Sequence, residues 1–177
     1  MVQRASADAA RDISCRCKRH AKRYLAEIAD MLSELGLKLQ KADSTHSIAL
    51  GCDYKGEHLV WFSLINNPHN TYLTFRTNMF RPGSPEMIDF EKAVDKLPNA
   101  YEIKAFCLKG INRCKKCGCH PVPPSRLGYW TEVFNKKVNL CGGRRCFETQ
   151  VFDDKSLDIM KTLIKISHRI IKEHKTA

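Results

Sequence analysis

Residues 114–146 read CKKCGCHPVPPSRLGYWTEVFNKKVNLCGGRRC, and their thiols are spaced for metal chemistry. Cys114 and Cys117 have a two-residue gap, which lets both thiolates of a tight turn face one ion while backbone N–H groups donate to the sulfurs. Cys141 and Cys146 make a second pair, with Gly142 and Gly143 supplying the backbone freedom such a turn needs. Twenty-three residues separate the two pairs. Four thiolates held tetrahedrally suit Zn2+, so the expected cofactor is one zinc ion on Cys114, Cys117, Cys141 and Cys146.

Cys119 and His120 compete for the same four places, and a Cys3His site using either one is the alternative. The spacing logic is similar to that of the two knuckles of a zinc ribbon, from which the wider second gap departs. An iron–sulfur cluster fits less well, because its ligands often come as closer CxxC repeats. A site filled by four cysteines is closed and structural, and no HExxH or His-x-Glu pairing supplies an open position with a general base. Cys15 and Cys17 are one residue apart at the start of a basic helix, a spacing that points two side chains to different faces, and we read them as ordinary thiols, with an extra pair of metal ligands as the alternative. Cys52 and Cys107 fall on the inward pattern of strands and read as core.

The knuckles are also basic. Lys115 and Lys116 fill the first, Arg144 and Arg145 the second, and Arg126, Lys136 and Lys137 lie between them. Cations at exposed tips neutralise phosphates, which makes DNA or RNA the expected partner. Tyr129, Trp130 and Phe134 interleave with these cations in the manner of a stacking surface, but the expectation for the rings themselves is that they pack the insertion against the sheet. Histidines 46, 58, 69, 168 and 174 have no local Asp or Cys spacing that makes a dyad, and a Cys52–His58 pair across a hairpin has nothing nearby to mark an activated thiol. No catalytic residue is assigned. Two other functions stand as alternatives: a small-molecule or metal- and redox-sensing domain with a structural zinc, or an enzyme using the sheet face.

The charge pattern agrees with the anion-binding reading. Thirty Lys and Arg against nineteen Asp and Glu give a net charge of +11, and the charge is unevenly placed. Residues 104–145 carry net +9 with Glu132 as their single acid, whereas residues 24–103 carry net −4. No apolar run reaches the roughly 18 residues that span a bilayer, so no membrane partner is expected. The first residues lack the apolar stretch of a secretory signal, so we expect a cytoplasmic chain whose nine cysteines stay reduced.

Several elements must position these groups. Ile13, Cys17, Tyr24, Ile28, Met31 and Leu35 recur at threes and fours, predicting a helix over 13–35 that Gly36 ends. The period then changes to two: strands are expected over 47–54, 58–65 and 71–77, with turns at Lys55-Gly56 and Asn66-Asn67-Pro68. Ser84-Pro85-Glu86 is a helix start, and Met87, Phe90, Val94 and Leu97 give that helix one apolar face. Residues 101–108 read as a strand and 146–152 as a short β-like segment. A terminal helix over 155–174 carries Leu157, Met160, Leu163, Ile164, Ser167, Ile170 and Ile171 on one side. The reading is α+β: an antiparallel or mixed sheet of about four to six strands under N- and C-terminal helices, with a zinc-binding insertion. Residues 1–12 are expected to be disordered, 13–177 to form one domain, and about 110–147 to be the insertion.

Overall fold

A computed structural model describes residues 19–42, 47–67, 70–111, 129–140, 146–150 and 153–176. In chain order these are helix α1 (Arg19–Glu34), strands β1 (Gln40–Ala42), β2 (Ser47–Tyr54), β3 (Glu57–Asn67) and β4 (Asn70–Asn78), helices α2 (Pro85–Asp95) and α3 (Ala100–Gly110), strands β5 (Tyr129–Val133), β6 (Lys136–Leu140) and β7 (Cys146–Thr149), and helix α4 (Asp154–His174). The protein is α+β. Five strands form one antiparallel sheet in the order β1-β2-β3-β4-β7, and β5 and β6 pair separately as a hairpin.

The helices form where apolar spacing and end signals agree. In α1 Tyr24, Leu25, Ile28, Met31 and Leu32 are buried, and the chain stops at Gly36 in the left-handed region (φ 73°). There the Gly36 N–H bonds Ser33 O and the Leu37 N–H bonds Leu32 O at 2.8 Å, satisfying carbonyls the helix end would otherwise leave open. Ser84 caps α2 by accepting from the Met87 N–H, with Pro85 at the first helical position. Asp153 caps α4 by accepting from the Ser156 N–H at 2.6 Å. All seven residues expected on the inner face of α4 are buried, and so are Ile159 and Ile166 beside them. That wider stripe exists because α4 packs on β3 and β4 while α1, α2 and α3 all lean on it.

One expected strand is a helix instead. Residues 101–108 belong to α3, whose buried residues Ile103 and Cys107 are four apart. The run of Tyr, Ile, Phe and Cys looked β-like, but Ala, Glu, Lys and Leu between them are strong helix formers, and packing on α2, α4 and β7 takes the period-four face. Gly110 ends this helix against β7 so closely that a Cβ there would stand 2.6 Å from the Glu148 carbonyl oxygen.

Register sorts the sheet into two unlike faces. Leu50, Phe62 and Phe75 lie side by side, as do Cys52, Val60, Thr77 and Phe147, and this face meets the helices in the core. Phe62 and Phe75 stack with ring centroids 4.2 Å apart. The other face carries Trp61, Arg76 and Glu148 in one row and Asn78 beside Cys146 in the next. It is a polar face.

Candidate functional site

Most of the residues assigned to metal or anion binding from the sequence lie outside the described residues: Cys114, Cys117, Cys119, His120, Cys141, Lys115, Lys116, Arg126, Arg144 and Arg145, together with Cys15, Cys17 and residues 1–12. Lys136, Lys137 and Cys146 lie inside them. Among the described residues no group of three or more His, Cys, Asp or Glu side chains is arranged to hold a metal ion. Cys146 opens β7, half-buried, directly across the ladder from Asn78.

Lys136 and Lys137 stand on β6, one arm of a hairpin that the sequence reading had not resolved. Its turn is Phe134-Asn135, both with positive φ (50° and 58°), which matches the twist of a two-residue hairpin. A Phe is unfavourable in that region, and the fold holds it there twice over. The Phe134 N–H donates to Glu91 Oε1 at 2.7 Å, and its ring is buried beside Phe90 with Lys104 above it. Val133, Val138 and Leu140 face inward with it.

The opposite face of this hairpin is open. Trp130, which shares that face with Glu132, Lys137 and Asn139, is 65% exposed, whereas Phe134 is 6% exposed; Tyr129 lies on the inner face opposite Leu140, at its outer end, and is 41% exposed. The expectation that all three rings pack inward therefore holds for Phe134 alone. The two-residue period of β5 turns Trp130 away from the buried Val133, and the inward positions are already filled by aliphatic side chains. Lys137 lies across from Glu132, yet its Nζ sits 5.6 Å from the centroid of the Trp130 ring and makes no ion pair among the described residues. An exposed indole with a cation on its face is a surface on which a base can stack.

A second feature lies on the five-stranded sheet and includes Cys146 of β7 in its lining. A cleft of about 700 Å³ opens between the β2–β3 turn, the ends of β3 and β4, the segment before α2 and the last turn of α4. Its size is that of a small-molecule site. His58, Trp61, Arg76, Asn78, Arg81 and His174 are among its walls. These groups are mostly paired: Arg76 Nε bonds Glu148 at 2.5 Å and Lys175 bonds Glu57 at 2.9 Å, while the His58 and His174 rings bond Asp53 at 2.5 Å and Asp89 at 3.0 Å. The His174 contact holds the Asp89 carboxyl below the usual carboxylate range. Trp61 Nε1 and Asn78 Nδ2 are buried and meet no hydrogen-bond partner among the described residues. Comparison with protein-family models, with curated proteins and with solved structures finds no match for this chain.

The buried Cys52 and Cys107 take no part in either chemistry. Burial pushes the Cys52 thiol up to about 11 and the Cys107 thiol further, so both stay protonated near neutrality and are poor nucleophiles. His58 turns to Asp53 and its ring meets the edge of Trp61, so it forms no pair with Cys52. The His58–Asp53 contact escaped the sequence reading because a bulge between Cys52 and Asp53 shifts the register and brings them opposite each other. No helix among the described residues is long and apolar enough to cross a membrane.

Proposed function

We propose that this chain is a zinc-stabilised nucleic-acid-binding protein whose contact surface is the basic cysteine insertion, with the β5–β6 hairpin at its centre. The observation that carries this reading is the exposed Trp130 ring with Lys137 across its face, set in a segment of net +9. Stacking on an aromatic platform is tolerant of sequence and suits unpaired bases, while neighbouring cations follow the phosphates. Single-stranded DNA or RNA is accordingly the substrate class that fits best.

The zinc ion in this proposal is held by Cys114, Cys117, Cys141 and Cys146, with Cys119 or His120 as substitutes. Its role is to fold the two knuckles so that Lys115, Lys116, Arg144 and Arg145 flank the hairpin. Cys141 directly follows β6 and Cys146 opens β7, so a metal joining them would tie the hairpin to the sheet. The experiment is binding of a single-stranded oligonucleotide across a salt series. Changing those four cations to Ser is expected to weaken binding and to flatten the slope of log affinity against log salt by about 0.7 for each lost phosphate contact. Parent protein that does not bind at low salt, or binding that the fourfold change leaves untouched, refutes the proposal.

A further inference from the structure

Granted the stacking role of Trp130, we infer that the same hairpin face selects guanine among unpaired bases, with the Glu132 carboxylate accepting from the Watson–Crick edge of the base that lies on the ring. Glu132 stands two residues from Trp130 on β5, on the same face and about 7 Å along the strand. That spacing sets the carboxylate beside the ring, where the edge of a stacked base arrives. Glu132 is exposed and makes no ion pair or hydrogen bond among the described residues. Lys137 is its direct partner across the ladder, yet that ammonium lies over the Trp130 ring instead. Asn139, the other polar side chain of this face, has its amide oxygen buried, so Glu132 is the side-chain acceptor that the face offers to a base.

Charge says why an acid belongs there. Glu132 is the single acid of residues 104–145, a segment of net +9. On a surface that follows phosphates, a lone carboxylate repels every strand alike and lowers affinity in general, so what it adds is discrimination between bases. The donor pattern then names the base. An ionised carboxylate only accepts, through two oxygens held side by side. Guanine presents two N–H donors together on its Watson–Crick edge, one on N1 and one on N2, and so meets both oxygens in a bidentate, charge-assisted pair. Adenine and cytosine set an amino donor beside a ring-nitrogen acceptor, and uracil and thymine flank their single N–H with two carbonyl oxygens. Each of these turns a lone pair toward the carboxylate.

The test compares short oligouridines that differ only in one central base: guanine, adenine or hypoxanthine, which keeps the N1 donor of guanine and lacks the N2 amino group. Binding to the full-length, zinc-loaded protein is read by fluorescence anisotropy at low salt, and repeated with the same bases in oligothymidine. The guanine strand is expected to bind about tenfold more tightly than the adenine strand, the discrimination of one bidentate pair, with hypoxanthine between them, in RNA and DNA alike. Glu132→Gln, an exposed change that circular dichroism should show to be well folded, is expected to abolish the guanine preference. It should leave the adenine strand bound as tightly or more so, because the amide repels no phosphate and pairs an acceptor and a donor with the adenine edge. A merely structural role for Glu132 would weaken all three strands together, and that result overturns the inference. Equal affinity of the parent for all three strands, with Trp130→Ala weakening each, also overturns it while leaving the stacking platform intact. Binding of no strand at low salt removes the nucleic-acid reading, and the guanine preference with it.

Discussion

Replacing Trp130 by Ala separates a binding role from a structural one. The ring is 65% exposed and turned away from Val133 and Phe134, so its loss removes little packing. Exposed substitutions of this kind change stability by no more than about 0.5 kcal/mol, a shift of about 1–2 °C in Tm for a chain of this length. Affinity should respond far more. One base stacked on an aromatic ring contributes about 1–3 kcal/mol, which corresponds to roughly a five- to 150-fold rise in Kd for a single-stranded oligonucleotide. Lys137 lies 5.6 Å from the ring centroid and keeps its charge in the variant, so the salt dependence should stay almost parallel to the parent's. Fluorescence anisotropy at three salt concentrations reads both quantities. A variant that binds as tightly as the parent refutes the stacking platform, and one whose Tm falls by several degrees shows that the ring serves packing instead.

The remaining predictions concern the metal, one close contact and pH. Purified protein should carry one zinc per chain, with Zn–S distances near ~2.3 Å by X-ray absorption; Cys141→Ser should release the metal and open residues 110–147 to protease, whereas Cys15→Ser should leave metal content unchanged. Gly110→Ala would place a Cβ 2.6 Å from the backbone oxygen of Glu148, an atom of the sheet that cannot swing aside, so urea unfolding should show a loss of about 1–3 kcal/mol despite the better helix propensity of Ala. Burial lowers the His168 pKa from 6.5, where its ring packs 4.5 Å from that of Tyr54. The folded state thus resists the proton more than the unfolded state does, so this contribution is complete above about pH 6.5 and is lost as pH falls below it. His168→Gln should flatten the fall in Tm between pH 7 and pH 5, a window above that in which the depressed Glu27, Asp89 and Asp153 carboxyls act; an unchanged pH profile would remove His168 as its source.

What the sequence determined by itself is local. Gly36 ends α1 because only a left-handed residue closes that cap, Ser84-Pro85 starts α2, Lys55-Gly56 turns β2 into β3, and the apolar stripe of α4 buries as its spacing requires. The thiol spacing that motivates the zinc is of the same kind, a matter of near neighbours. Tertiary structure decided the rest. Residues 100–110 carry side chains compatible with either period, and it was packing against α2, α4 and β7 that selected the helix. The β5–β6 turn hid behind Phe134, a poor residue for it in isolation, held by Glu91 and Phe90 from forty residues away. That distant anchor is what turns Trp130 outward. The cleft had no signal in the sequence at all, because its walls come from positions as far apart as 56 and 175 and meet only once the strands are paired and covered.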